Sequence, residues 1–189
     1  MSEILDAGVA AVKTYMEWTG PGFNEDSISE RSLCALMALQ LYKRSGLHAI
    51  PEVSYTRIVD DLRRTIGKAE RTQILGEFAD IALYDENRQP FALVEVKIFS
   101  DGKDELRKFA TDLHKGDPVS LDRRIPIYAA ALICETEHPL RSLDDQKEWI
   151  ERGIGQPLRY SPTEQTGTGQ GWKWCFGCTE RQNSNRNSG

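Results

Sequence analysis

Asp80, Glu95 and Lys97 are charged residues set inside runs that otherwise read as buried strands. They belong to the stretch GEFADIALYDENRQPFALVEVKIF, from Gly76 to Phe99, in which two apolar runs flank a polar turn ending at Pro90. Side chains alternate faces along a strand. Phe91, Leu93, Glu95, Lys97 and Phe99 therefore share one face, and Ala92, Val94, Val96 and Ile98 the other. On the preceding strand Phe78, Asp80, Ala82 and Tyr84 share a face, and Glu77 points the opposite way. A loop from Glu86 to Gln89 pairs Asp85 with Pro90 and Tyr84 with Phe91; counting back, Ala82 faces Leu93 and Asp80 faces Glu95. Directly opposed residues lie roughly 4.5–5.5 Å apart at Cβ. Two carboxylates are thus expected side by side, with Lys97 one pleat further on.

Carboxylates held that close repel and raise each other's pKa unless a cation joins them. A divalent ion removes the conflict. One or two carboxylates with water completing the shell suit Mg²⁺ or Mn²⁺. A lysine beside such an ion can orient an attacking water or stabilise developing negative charge. That equipment suits hydrolysis of a phosphodiester. A lone Glu-x-Lys in a strand is common and reads as a solvated pair; the cross-strand Asp80 is what points to chemistry.

The elements that must hold these residues can be read along the chain. Residues 1–20 form a helix ending at the glycines and proline of TGPG. In SISERSLCALMALQLYKRSG, Leu33, Met37 and Leu41 recur at helical spacing and Gly46 stops the helix. A strand is expected from Ala49 to Ile58, followed by the charged connection DDLRRTIGKAERT and then the hairpin. The segment SDGKDELRKFATDLHKG reads as a helix with Leu106, Phe109, Ala110 and Leu113 as its apolar stripe. RIPIYAAALICE is a buried strand by its apolar continuity. In RSLDDQKEWIERG, Ser142 and Asp145 are placed like a capping box. The interleaving implies an α/β protein with a central mixed sheet flanked by helices. Residues 1–155 read as one domain and 156–189 as a C-terminal extension, partly packed, with a disordered end expected for TERQNSNRNSG.

Composition narrows the setting. The chain has 189 residues, 39% hydrophobic and 28% charged, enough to bury a core without disulfides. It shows neither a transmembrane-length apolar run nor a signal-peptide pattern, so a cytoplasmic location is expected. A net charge of −5 argues against indiscriminate binding of nucleic acid through bulk charge but leaves room for a local basic surface.

The residues resemble the PD-(D/E)XK nuclease superfamily, whose members share the restriction-endonuclease-like fold. The pattern is an Asp on a hairpin strand, a variable spacer, and Asp/Glu-x-Lys on the next strand. Here these are Asp80, fourteen intervening residues, and Glu95-Val96-Lys97, with Ala79 where the pattern has proline. The family core runs α-β-β-β-α-β, and the segment from Ser27 to Glu135 reads in that order. The resemblance implies metal-dependent cleavage of nucleic acid, DNA more often than RNA, with Mg²⁺ or Mn²⁺ as cofactor. Asp80, Glu95 and Lys97 would be catalytic, with Asp80 and Glu95 holding the metal. Many members add a glutamate from the first core helix; Glu30 is that candidate, although Ser27-Ile28-Ser29-Glu30 also fits a capping box. Glu52, on the first strand, competes with it as the further metal ligand.

The helix after the motif carries Lys103, Arg107, Lys108, His114 and Lys115, which in this fold lie near the site and can reach phosphates. Arg57, Arg63, Arg64, Lys68 and Arg71 could form a basic loop over the substrate, diluted by Asp60, Asp61 and Glu70. Cys175-x-x-Cys178 is a single pair with no second paired spacing, so it reads as packing, with Trp172, Trp174 and Phe176 alternating like an edge strand.

The expected function is therefore a divalent-metal-dependent nuclease, a DNA endonuclease suited to defence, restriction or a mobile element. Cutting both strands of a duplex would favour a homodimer. The alternative is a catalytically idle nuclease-fold module that binds nucleic acid or a partner protein.

Overall fold

The computed structural model describes residues 1–19, 28–100, 103–117, 125–135, 141–165 and 173–181. Trp172 and residues 182–189 lie outside them; of the end expected to be disordered, Thr179 and Glu180 instead belong to the last strand and Arg181 pairs with Asp117. Two helices come first, α1 (Ser2–Thr19) and α2 (Glu30–Ser45), then β1 (His48–Ser54). Short helices α3 (Tyr55–Asp61) and α4 (Lys68–Ile74) precede the hairpin of β2 (Phe78–Tyr84) and β3 (Pro90–Phe99). Helix α5 (Lys103–Lys115), β4 (Ile127–Glu135) and α6 (Leu143–Ile154) follow, then β5 (Arg159–Tyr160), β6 (Glu164–Gln165) and β7 (Lys173–Glu180). No helix among the described residues is long and apolar enough to cross a membrane.

The result is a mixed α/β protein with an open mixed sheet and helices packed on it. The sheet runs β1-β2-β3-β4-β7-β5, with β6 also pairing β7. All neighbours are antiparallel except β3 and β4. Parallel neighbours need a crossover, and α5 supplies it. One face buries Ile81, Leu83, Val94, Val96, Ile98, Ala130 and Leu132 against α1 and α2, through Ala7, Ala11, Leu33, Met37 and Leu41. The other buries Ala82, Leu93, Phe99, Ala129, Ala131 and Ile133 against Tyr55, Ile58, Phe109, Leu113 and Ile150. At Gly8 the fold demands glycine, because an added Cβ would run into the Phe176 ring of β7.

Local signals explain several boundaries. Ser29 caps α2, its Oγ accepting the Ser32 N–H at 3.1 Å, so Glu30 is the first helical residue; Ser27 lies outside the described residues. Gly46 closes α2 in the left-handed region at φ +70°, its N–H donating to Tyr42 O. Ser142 Oγ accepts the Asp145 N–H at 3.2 Å and starts α6.

Three expectations are corrected. The strand expected to run to Ile58 ends at Ser54, whose Oγ accepts the Arg57 N–H at 3.3 Å and turns the chain into α3. The β-branched and aromatic run that suggested a longer strand instead places Tyr55, Ile58 and Val59 on the buried side of a helix. The charged connection contains α4, where Glu70 accepts the Gly67 N–H at 2.8 Å. Finally, β7 is not an edge strand. It pairs β4 on one side and β5 and β6 on the other, and so buries Trp174, Cys175, Phe176 and Cys178.

Candidate active site

The hairpin register decides where the charges meet. Ala82 pairs Leu93 as expected, and Ile81 pairs Val94. The turn differs: Tyr84 pairs Pro90, and a register shift between Leu83 and Tyr84 leaves Phe91 as the extra residue. Asp85 makes this turn, its Oδ1 accepting the N–H groups of Asn87 at 2.9 Å and Gln89 at 2.8 Å. The shift lies on the turn side of Ala82, so it leaves the pairing toward the candidate site intact.

Alternation from the Ala82–Leu93 pair puts Asp80 and Glu95 on one face, the face of α3 and α5. The ladder itself stops at Ile81 and Val94, one pair short of Asp80 and Glu95. There the Asp80 carboxylate takes over: Val96 N–H donates to its Oδ2 at 2.7 Å. The two carboxylates therefore do not oppose each other within a closed ladder. A side chain bridges the strands where they part, so that a backbone donor is not left unpaired.

Glu95 is 2% exposed, the one carboxylate among the buried described residues. Burial pushes its pKa well above the ordinary value, and the charge of Asp80 adds to the rise. Its Oε1 accepts a hydrogen bond from the Tyr55 hydroxyl at 2.7 Å, which acts in the opposite direction. Asp80 is raised to about 6, first by burial and then by Glu30 and Asp112, against the lowering effect of the Val96 N–H and Lys97. In both groups burial is the larger cause and neighbouring carboxylates add to it.

Lys97 follows Glu95 by one pleat, as expected. Its side chain is 11% exposed, and Nζ pairs with Glu30 Oε1 at 2.6 Å. Glu30 is thus brought to the site by the first turn of α2, but as the partner of Lys97. Glu52 is held differently. The β1–β2 register, with Pro51 opposite Ile81 and Val53 opposite Ala79, brackets Glu52 opposite Asp80, yet no ladder pair forms there. Glu52 adopts φ +52°, a left-handed conformation that costs a non-glycine residue roughly 1–3 kcal/mol, and pairs with Arg31 at 2.6 Å. Cys34, one turn after Glu30, is buried and feels the charges of Asp80, Glu30, Glu95 and Glu52 together, which along with burial drive its thiol pKa upward.

The structure thus gathers Asp80, Glu95, Lys97 and Glu30 along the second half of β3. It does not present the four carboxylates as a joint ligand set: Glu30 is occupied by Lys97 and Glu52 by Arg31. Among the described residues no three His, Cys, Asp or Glu side chains form a metal-holding group. One oxygen of each central carboxylate, Asp80 Oδ2 and Glu95 Oε1, is committed to a protein donor. A metal would be taken through the other oxygen of each.

The chain matches no protein-family model, no curated protein and no solved structure. The functional reading therefore rests on the residues and their geometry.

The basic candidates scatter. Lys115 pairs with Asp112 at 2.6 Å and Glu77 at 3.1 Å, and His114 lies 3.0 Å from Asp117. Burial would lower the Lys115 pKa, but these two carboxylates outweigh it and raise the value. Arg107 and Lys108 are exposed on α5, and the side chain of Lys103 is outside the described set. Arg57 pairs with Asp61 at 3.6 Å and Arg71 with Asp60 at 3.5 Å, so two of the five basic residues between β1 and β2 are engaged within that connection. Arg63 sits in a left-handed turn at φ +51°, and Arg64 donates its backbone N–H to Val59 O; Lys68 opens α4 and is exposed.

Sequence reasoning missed Tyr55. Its signal was hidden because Ser54-Tyr55-Thr56 reads as strand, whereas Ser54 caps a helix that turns the phenol inward.

Cys175 and Cys178 are three apart on a strand, hence on opposite faces, and they join different core clusters. Burial raises their pKa values to about 11 and about 12. Two such thiols cannot grip one ion. We expect unchanged melting of the protein in the presence of a zinc chelator; stoichiometric zinc with unfolding on chelation would contradict this.

Proposed function

We propose that this chain is a divalent-metal-dependent nuclease with a restriction-endonuclease-like core, hydrolysing phosphodiester bonds of nucleic acid and acting as a DNA endonuclease. The observation that carries the reading is the placing of Asp80 and Glu95 on one face of adjacent strands, both resisting ionisation, with Lys97 one pleat beyond. With α3 and α4 set aside as an insertion between β1 and β2, the order α2-β1-β2-β3-α5-β4 is that of the nuclease core the sequence resembles.

The donor set fits a hard cation. Two carboxylate oxygens with water completing the shell suit Mg²⁺ or Mn²⁺. Such an ion, when bound, supplies positive charge at the scissile phosphate and offsets the repulsion of the two carboxylates. The chain supplies the rest. Val96 N–H and the Tyr55 hydroxyl fix the carboxylates, α2 brings Glu30 to Lys97, and Lys97 offers a cation to an attacking water or a developing phosphorane charge.

Supercoiled plasmid is expected to be nicked or linearised with Mg²⁺ or Mn²⁺ and left intact with EDTA. Ca²⁺ is expected to support binding better than cleavage, because its looser coordination positions groups less strictly. Full activity in metal-free buffer would refute the mechanism. The second reading, an idle nuclease-fold module binding nucleic acid or a partner protein, draws on the Lys97–Glu30 pair and on the lack of a third gathered ligand among the described residues. It predicts a mobility shift with DNA and no cleavage under any divalent ion.

A further inference from the structure

We propose that Tyr55 is a positioning residue for Glu95: it holds one carboxylate oxygen so that the other faces the cation. This deepens the metal-dependent reading above and rests on it. The phenol is fully buried, at 0% exposure, and Glu95 is buried beside it at 2%. The 2.7 Å bond joins residues forty positions apart, from the first turn of α3 to the middle of β3.

The phenol is fixed from several sides. Ser54 caps the turn that carries Tyr55, and the Tyr55 backbone N–H donates to Glu77 O at 3.1 Å. Gly116 leaves the space the ring occupies: an added Cβ there would lie 3.2 Å from the hydroxyl oxygen and 2.7 Å from Ile127 Cδ1. Phenol, helix start and the end of α5 thus form one packed unit around a single carboxylate oxygen. A carboxylate on a three-torsion side chain would otherwise sample several orientations. With Oε1 committed to Tyr55, the direction of Oε2 is set, and the entropy of ordering it is lost on folding rather than on ion binding. Groups that orient a metal ligand in this way typically contribute 10–100-fold to affinity.

A purely structural tyrosine would give the same burial but a different response to Tyr55→Phe. The substitution keeps the ring and removes only the donor. Calorimetric titration of the full chain with Mn²⁺ is expected to show affinity weakened by roughly tenfold or more. The melting temperature in EDTA should fall by only a few degrees, the cost of leaving the buried Glu95 oxygen without its donor, so the affinity and rotamer readings carry the distinction. In parallel, carbon-13 NMR of the metal-free protein reads the side-chain couplings of Glu95: a single rotamer in the wild type, averaging in Tyr55→Phe. Equal Mn²⁺ affinity in the two proteins would overturn the proposal. So would a Glu95 rotamer that stays fixed without the hydroxyl. A wild type that binds no Mn²⁺ would overturn both the metal reading and the role assigned to Tyr55 toward the cation, whereas binding with unchanged affinity in the variant would overturn the role of Tyr55 alone.

Discussion

Lys97→Ala is expected to lower cleavage by about 100-fold or more while sparing most Mn²⁺ binding. Lys97 is assigned to the attacking water and the charged transition state, not to the ion, so its loss should appear in turnover rather than in metal affinity. The structure makes this a clean substitution. The ammonium pairs with Glu30, whose side chain is 41% exposed. Once Lys97 is removed, water can solvate Glu30, so no buried charge is left without a partner. The fold should persist. Cleavage rates and Mn²⁺ titrations on the variant, with melting curves as a control, decide the matter. Cleavage at the wild-type rate would make the Glu95-Val96-Lys97 triplet a coincidence and remove the assignment of the active site to it.

The second large effect concerns Asp80 and pH. The folded-state pKa of Asp80 is raised from the ordinary 3.8 to about 6. Between those values the folded protein holds a proton that the unfolded chain has released. The corresponding stability is fully present below the unfolded pKa and is lost as pH rises through about 6. At about 1.4 kcal/mol per pKa unit, the loss is roughly 3 kcal/mol. Glu95, also raised, acts in the same direction. In EDTA the protein should therefore melt lower at pH 8 than at pH 5, and Mn²⁺ at pH 8 should restore the difference by binding the ionised pair.

Asp80→Asn isolates the contribution. Asparagine keeps an oxygen for the Val96 N–H, which alanine would leave unpaired, and it carries no charge. In EDTA at pH 8 the variant should melt roughly 5–10 °C above the wild type, with the gap closing toward pH 5. It should also lose metal binding and cleavage together. A gap that does not vary with pH would show that Asp80 is not the titrating group. Unaltered Mn²⁺ binding would remove it from the ligand set.

Much of this site was legible before any tertiary structure. The two hairpin strands follow from period-two alternation, which puts Glu95 and Lys97 on one face; the register implied by the turn adds Asp80 to it. The α2 stripe of Leu33, Met37 and Leu41, the stop at Gly46 and the start at Ser142 are local signals, set within one or two helical turns. The Ala82–Leu93 register also followed from the turn, although Tyr84 pairs Pro90 and not Phe91, which is left as an extra residue that was not expected.

What tertiary packing decided lies where a residue's neighbours are distant in sequence. Local propensity favours strand at Ser54-Tyr55-Thr56; the choice of helix is made by the buried pocket that accepts Tyr55 and by Glu95, forty residues on. The opening of the β2–β3 ladder beyond Ile81 could not be read from alternation, which assumes that pairing continues. The left-handed turn at Glu52 and its pairing with Arg31 depend on how α2 lies across the end of β1. Residues 173–180 have short polar neighbours and look like an appendage, yet they fill a place between β4 and β5. Periodicity reports which face of an element is apolar. Only packing reports which elements meet, and so which oxygen of a buried carboxylate is held and which is left to act.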